Sequence, residues 1–235
     1  MRVTLLLVGV MLTSEVCAQF EIGGSAGAYT YALRTDNRSS FSPVDRPGFL
    51  ASFWYRERAP DGFGIGIDLQ WSHRVFDAYL CSCGLGGGSA YNTRVVLEQF
   101  HIGLLPEVRL GPEGRAFLRF GPRFGLGALG SVEGTYSSWG LYSPSTGPVP
   151  VNSSASRFYK GDFRFHLGFS VVVARSGRMR YTIDPYVEYG FGSMLKDASD
   201  ALRTSDLGVK FSIGQQSAGS TFGTIMRRGR PGPKE

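Results

Sequence analysis

The sequence has little of what marks a disulfide-rich domain or a helical membrane protein. Three of its 235 residues are cysteine, so no disulfide framework holds the fold together. Hydrophobic residues make up 42%, which is low for a helical membrane protein but does not suggest disorder. Beyond the N-terminal segment, no apolar run approaches the roughly 20 residues that a spanning helix needs. These shortages exclude both classes.

A strong charge of one sign is also missing from most of the chain. The net charge is +6, and about half of it lies in the last nine residues, which include Arg227, Arg228, Arg230 and Lys234. The rest of the chain is therefore only weakly basic, and nucleic acid is not an expected partner. We interpret residues 214–235 as a basic, flexible C-terminal tail.

The N-terminus has the layout of a secretory signal peptide. Arg2 precedes a largely apolar run from Val3 to Leu12, and Ala18 stands in a small-residue cleavage context before Gln19. The run has about half the length of a membrane-spanning helix. We expect residues 1–18 to be a signal peptide that is cleaved after Ala18.

Two-residue alternation is what the sequence has in abundance. In the segment from Phe163 to Ala174, one face carries Phe163, Phe165, Leu167, Phe169, Val171 and Val173. The other face carries Arg164, His166 and Ser170 among smaller residues. This pattern predicts a strand with one apolar and one mostly polar face. It fits a soluble core, or a transmembrane barrel whose apolar side chains face lipid.

Eight such segments lie between Phe20 and Ile213, and their connections alternate in length. The short connections contain tight-turn residues, as in Pro60-Asp61-Gly62 and Ser176-Gly177-Arg178. This alternation is typical of outer-membrane barrels, and a soluble lipocalin-like barrel has no reason to follow it. We predict an all-β fold over residues 19–213. It is an eight-stranded antiparallel up-and-down transmembrane β-barrel with long extracellular loops and short periplasmic turns.

The polar faces carry six acidic and six basic residues, opposite apolar faces about as long as a membrane-crossing strand. An arginine turned into lipid at the midplane would cost about 2–4 kcal/mol, which gives this segregation a physical cause. An eight-stranded barrel is just wide enough for side chains to fill it. We predict that the charges pair as a plug in the lumen: Glu21, Arg56, Asp68, Glu107, Arg109, Arg119, Arg123, Arg164, Asp184, Glu188, Asp206 and Lys210.

Three prolines fall inside predicted strands, at Pro106, Pro122 and Pro185. Proline lacks the amide donor that a strand paired on both sides requires. We expect bulges or interrupted pairing at these positions.

The pattern resembles the small outer-membrane barrels of the PorT-like type common in Bacteroidetes, and more distantly the OmpX- and OmpA-type barrels. Its most typical pieces are Gly64 to Leu69, Leu97-Glu98 and Leu207 to Phe211. The resemblance implies the fold, a bacterial outer-membrane location and outer-membrane lipid as a partner, but no activity. Such barrels usually finish near an aromatic terminal residue, whereas a basic tail follows the last strand here.

No arrangement of residues predicts a catalytic, cofactor or metal site. Ser72 and His73 are adjacent and point to opposite faces of a strand. His101 and His166 point inward among charges, where satisfied lumen histidines are expected. We therefore expect a non-enzymatic surface protein, structural or adhesive, or the membrane subunit of a larger assembly. The alternatives are an outer-membrane enzyme acting on lipid or peptide at the barrel rim, and a soluble lipocalin-like ligand-binding barrel.

Two of the predicted long connections hold the remaining candidates. Val132 to Gly161 carries Tyr136, Trp139, Leu141 and Tyr142, which we expect to contact other envelope proteins, because exposed aromatics serve as interface anchors. Alternatively, they fold back over the barrel mouth or extend the fifth strand. An earlier connection holds Cys81 and Cys83, which we predict to form a strained local disulfide or an intermolecular pair.

Overall fold

The computed structural model describes residues 19–35, 40–43, 47–59, 62–84, 86–111, 114–140, 146–196 and 202–218. It contains ten strands and one short 3₁₀ helix, Ala155–Arg157. The strands are β1 Gln19–Thr35, β2 Ser40–Pro43, β3 Gly48–Arg58, β4 Phe63–Gly84, β5 Gly87–Leu110, β6 Ala116–Gly140, β7 Thr146–Ser154, β8 Phe163–Ser176, β9 Met179–Gly190 and β10 Leu202–Ala218. No helix in the described part of the chain has the length and apolar composition to cross a membrane. The predicted signal peptide lies outside the described residues.

Eight of these strands close into one antiparallel ring. The order around it is β1, β3, β4, β5, β6, β8, β9 and β10, and β10 pairs back onto β1 from Gln19↔Ala218 to Thr35↔Leu202. The predicted eight-stranded antiparallel barrel is therefore confirmed. Two further strands lie beside the ring, since β2 pairs with β4 and β7 pairs with β6.

The outside of the ring is apolar and the inside is polar. On β8, Phe165 is 41% exposed on the outer surface, while its neighbour Arg164 is fully buried in the lumen. The same arrangement recurs around the ring in an apolar belt, which includes Phe53, Ile67, Leu104, Phe165, Leu167, Val187, Val209 and Phe211. A closed barrel without edges and with such a surface fits lipid. The chain is therefore a β-barrel of the bacterial outer membrane, and the soluble lipocalin-like alternative is wrong.

Three neighbouring strands continue well beyond the apolar belt on the side of the long connections. β4, β5 and β6 have 22, 24 and 25 residues. At about 3.3 Å per residue, the part of β4 after Trp71 adds roughly 40 Å along the strand. With β2 on one edge and β7 on the other, this part forms what we call the extracellular sheet: β2, residues 73–84, 87–98 and 127–140, and β7.

The extracellular sheet corrects the prediction for the second connection. Cys81 and Cys83 lie in β4, not in a long loop, and β4 pairs with β5 up to Gly84↔Gly87. Every residue of β4 in this stretch has a backbone partner on β5. The predicted alternation of long and short connections therefore fails at this one position.

The prolines coincide with interruptions of pairing, as expected. Between Gly103↔Arg123 and Glu107↔Arg119, the β5–β6 ladder is broken where Pro106 and Pro122 lie. The β8–β9 ladder is broken between Gly168↔Tyr186 and Val171↔Ile183, beside Pro185. The missing amide donor of proline accounts for each break.

The last strand is longer than predicted. β10 continues through Gly214 to Ala218, where it pairs with the start of β1, so the predicted barrel boundary at Ile213 is too early. Gln215, Gln216 and Ser217 hide the alternation, but β1 offers them backbone partners. Residues 219–235, the rest of the predicted tail, lie outside the described residues.

Candidate functional site

The lowest layer of the lumen, next to the periplasmic turns, is a network of carboxylates and guanidinium groups. Glu21 accepts hydrogen bonds from Arg58 and Arg180. Glu107 accepts one from Arg58 and another from Arg119, whose Nε lies 2.6 Å from Oε2. These side chains come from five different strands and are all buried. Because these charges are buried, the loss of any one partner should be strongly destabilising.

Two further charged residues adjoin this layer. Asp184 accepts a hydrogen bond from Ser212, and its Oδ2 lies 3.3 Å from Nη1 of Arg119. The guanidinium of Arg56 stacks on the indole of Trp54, with its central carbon 3.6 Å from the ring centroid. In the described part of the chain, no carboxylate forms an ion pair with Arg56.

The middle layer is centred on Arg123. Its Nη2 donates to Asp68 at 3.1 Å, and its Nη1 donates to Gln70 at 2.6 Å. Its Nε lies 3.1 Å from a carboxylate oxygen of Glu188, which also lies 2.9 Å from Nδ1 of His166. One guanidinium thus links side chains from β4 and β9 across the lumen.

Lys210 completes the middle layer. Its ammonium donates to Gln70 at 2.9 Å and lies 4.7 Å from the centroid of the Tyr186 ring. A buried ammonium needs such partners, because an isolated one is strongly unfavourable. The layer therefore joins β4, β6, β8, β9 and β10.

The upper layer is centred on Arg164. It donates to Asp162 at 2.7 Å and to Asp206 at 2.6 Å. Arg74 reaches the same Asp206 carboxylate at 3.2 Å, and Nε2 of His101 lies 2.9 Å from Asp162. Both histidines that the sequence placed inside the barrel therefore contact carboxylates.

Eleven of the twelve residues predicted for the lumen network are buried there. Arg109 is not, because it lies at the periplasmic end of β5, where its amide bonds to Gly62 and its side chain is exposed. Sequence reasoning missed four members of the network: Arg58, Arg74, Asp162 and Arg180. Each lies one alternation step beyond a predicted strand, so extending the two-residue period would have found it.

Apolar side chains fill the barrel mouth above the charged layers, and they reach down to Tyr186 beside Lys210. This apolar cap consists of Tyr29, Tyr31, Leu50, Phe76, Ala78, Val95, Leu97, Ala128, Val132, Ala155, Tyr159, Tyr186, Met194, Leu195 and Leu202. Ala155 and Tyr159 come from the connection after β7, and Met194 and Leu195 from the connection after β9. The rings of Phe76 and Tyr159 meet edge to face at 5.8 Å. Burial raises the pKa of Tyr159, so its hydroxyl stays protonated.

The predicted loop contacts belong in part to the extracellular sheet. Tyr136 and Trp139 lie on β6, which extends the fifth strand of the ring, while Leu141 and Tyr142 lie outside the described residues. Trp139 and Tyr79 are 42% and 43% exposed and share the outer face. The ring of Tyr136 packs at a tilt against that of Tyr91 on the inner face, with 4.8 Å between the ring centroids.

The extracellular sheet also carries a bonded cysteine and an exposed ion pair. Cys81 is disulfide-bonded, but the side chain of Cys83 lies outside the described residues, so the Cys81–Cys83 pairing stays a prediction. On the outer face, Arg94 donates to Asp77 at 3.1 Å, and this hydrogen bond raises the pKa of Arg94. Across the described ranges, no group of three or more His, Cys, Asp or Glu side chains could hold a metal ion.

No protein-family model and no curated protein matches the chain. Among solved structures, it is similar to the attachment invasion locus protein Ail of Yersinia pestis, in complex with the heparin analogue sucrose octasulfate. The identity is 16%, 82% of this chain and 98% of Ail are covered, and the TM-score is 0.41. For Neisserial surface protein A these values are 11%, 83%, 97% and 0.38. For the outer membrane protein OprG from Pseudomonas aeruginosa they are 10%, 86%, 96% and 0.40.

Proposed function

We propose that the chain is a non-enzymatic surface protein of the outer membrane that acts through its extracellular sheet. It serves either as a structural or adhesive protein or as the membrane subunit of a larger envelope assembly. One observation carries the proposal: three strands extend far beyond the apolar belt and expose large aromatic side chains there. A barrel that needed only to cross the membrane would have no use for this extension.

The outer face of the sheet has the chemistry of a protein-binding surface. Tyr79 and Trp139 are exposed on it, and the strands hold their backbones in place. Aromatic side chains on a rigid support supply a large contact area at a low entropic cost. The Asp77–Arg94 pair adds a polar margin closer to the membrane. These features support another envelope protein as the partner.

The filled lumen supports a role other than transport. Arg123 joins β6 to β4 and β9, and Arg74 joins β4 to β10, so ion pairs cross the interior at two levels. The apolar cap lies above them. We expect the purified protein to show no steady conductance in a planar bilayer. Large, uniform channels would contradict the proposal and favour transport.

The finer assignment to the PorT-like, Bacteroidetes type is part of the same proposal. Its support is the set of strand patterns at residues 64–69, 97–98 and 207–211. The basic residues of 219–235 are a second candidate contact for envelope partners, together with the extracellular sheet.

A face-specific pair of double variants tests the proposal. Tyr79→Ser with Trp139→Ser alters the outer face, and Tyr91→Ser with Tyr136→Ser is the matched control on the inner face of the same sheet. Both proteins should insert into membranes and remain heat-modifiable on gels. We expect the outer-face variant to lose the partner that co-purifies in mild detergent, or the surface adhesion of cells, and the control to retain it.

A deletion gives a coarser test of the same surface. Removing residues 139–149 takes away the end of β6 and the start of β7 while leaving the ring complete. We expect a membrane-inserted barrel without the partner or the surface phenotype. Retention of every partner and phenotype by both the deletion and the outer-face variant would refute the proposal.

A further inference from the structure

The described part of the lumen holds one cation more than it holds carboxylates. Its buried cations are Arg56, Arg58, Arg74, Arg119, Arg123, Arg164, Arg180 and Lys210, eight in all. Its buried carboxylates are Glu21, Asp68, Glu107, Asp162, Asp184, Glu188 and Asp206, seven in all. The two histidines could only add to the positive charge. A buried excess charge is strongly unfavourable unless an ion compensates for it.

The excess can be assigned to Arg56. Two carboxylates of its layer are already bonded to other guanidinium groups, since Glu21 accepts from Arg58 and Arg180, and Glu107 accepts from Arg58 and Arg119. The third, Asp184, accepts from Ser212 and lies 3.3 Å from Arg119. Arg56 is 5% exposed, and its described contact is the stack on Trp54. Lys210 is the other buried cation without an ion pair in the described part of the chain, but its ammonium donates to Gln70. Nη1 of Arg56 has no hydrogen-bond partner among the described residues.

Several donors near Arg56 are also without acceptors. Nη1 of Arg56, Nη2 of Arg58, Nη2 of Arg119 and Nε1 of Trp54 are buried and have no hydrogen-bond partner among the described residues. All are donors, and a guanidinium or an indole N–H cannot accept in return. Oδ1 of Asp184 is also buried there without a partner, so the layer has one such acceptor against four donors. This surplus of donors is the environment of an anion.

We infer that the lower lumen binds one small monovalent anion, of the halide class, between Arg56 and its neighbouring guanidinium groups. A charge of −1 balances the excess of one cation. Water could accept the hydrogen bonds but would leave the charge uncompensated. A doubly charged oxyanion fits less well, because two negative charges would exceed the excess of one cation.

The location in the fold allows the ion to enter from the periplasm. Arg56 is two residues before the end of β3, and Arg58 ends that strand at the periplasmic turn. The layers around Arg123 and Arg164 and the apolar cap lie on the other side. The anion would therefore be a structural component of the charged layer and not a transported solute.

The first measurement is thermal unfolding of the full barrel in detergent at constant ionic strength. Sodium chloride, sodium bromide and sodium gluconate are compared. We expect chloride and bromide to raise the unfolding midpoint saturably, by about 3 °C or more over gluconate. Arg56→Gln should abolish this shift. The matched control, Arg94→Gln, removes an exposed arginine of the extracellular sheet and should keep it.

The second measurement needs no variant, so it remains decisive if Arg56→Gln fails to fold. Crystals of the unchanged protein are grown in sodium bromide, and bromine is located from its anomalous scattering. A peak in contact with Nη1 of Arg56 is the expected result. The absence of bromide from the lower lumen, or a halide shift that Arg56→Gln leaves intact, would overturn the inference.

Discussion

The two ends of the lumen are filled by different chemistry. Near the periplasm, every charged side chain of the network projects from a strand of the ring, as Glu21 does from β1 and Arg119 from β6. At the extracellular mouth, the apolar cap includes residues from connections, such as Tyr159 and Met194. Strands in a closed ring hold their side chains in fixed positions, which charged pairs require. Connections lack that support, so the burial of apolar surface must hold them in place.

The charged layers and the apolar cap should contribute to the stability of the barrel in different ways. Buried ion pairs contribute little net stability, because desolvation offsets most of their attraction, but losing one partner is severely destabilising. Apolar contacts stabilise in proportion to the area they bury, and they tolerate substitutions of similar volume. The charged layers should therefore respond sharply to single changes, and the apolar cap gradually.

The largest effect is expected for Arg164→Met, in the charged layers. The change leaves Asp162 and Asp206 without their main partner in a fully buried position. We expect a loss of about 3–5 kcal/mol in the free energy of unfolding, measured by urea titration of the barrel refolded in lipid vesicles. Arg94→Met, on the exposed sheet, is the control and should show no measurable change. Similar losses in both variants would show that the buried ion pairs are no more sensitive to the loss of a partner than the exposed pair on the sheet.

The next effect concerns the outer surface, which has two regions of its own. Phe165 and Tyr79 are 41% and 43% exposed, but Phe165 lies in the apolar belt and Tyr79 on the extracellular sheet. Phe165→Arg should cost about 2–4 kcal/mol and reduce the membrane-inserted fraction, because its charge meets lipid. Tyr79→Arg should insert normally in the same fractionation assay. Equal insertion of the two variants would mean that the belt does not face lipid.

The smallest effect is expected in the apolar cap. Phe76→Leu keeps most of the side-chain volume beside Tyr159 and should cost about 1 kcal/mol. Because the ring below remains intact, we expect faster amide hydrogen exchange confined to residues 155–159 and 194–195. Amides of the charged layers should exchange at the unchanged rate. Faster exchange throughout the ring would show that the cap and the charged layers unfold as one unit.

Membrane-spanning strands could be predicted from the sequence because two solvents constrain them. Phe165 must face lipid while Arg164 faces the lumen, and this requirement produces the period of two. Above the belt the constraint ends, since the outer face of β4 meets water at Asp77 and Tyr79. The pattern fades there although the strand continues, which is why the stretch with Cys81 was predicted as a loop.

The two parts of the lumen also differ in how far the sequence reveals them. Arg58, Arg74, Asp162 and Arg180 continue the alternation of neighbouring strands, so a longer pattern would have included them. The part of the cap outside the strands offers no such signal, because it joins the connection after β7 to the connection after β9. Tyr159 pairs with Leu195 through an isolated bridge, and no periodicity relates two residues in separate connections.

The seam between β1 and β10 has a consequence for how the barrel forms. Gln19 and Ala218 are direct partners, so the ring closes between the strands that are farthest apart in sequence. Contacts of such high sequence separation form slowly, because the chain entropy between them is lost first. The same proximity permits a circular permutant, with a short turn joining residues 19 and 218 and new termini in the turn between β3 and β4. In that chain β10 and β1 become neighbours in sequence and form a local hairpin, and the ring closes between β3 and β4 instead. Comparing the membrane-insertion rates of the permutant and the original chain would show whether closing the ring limits assembly.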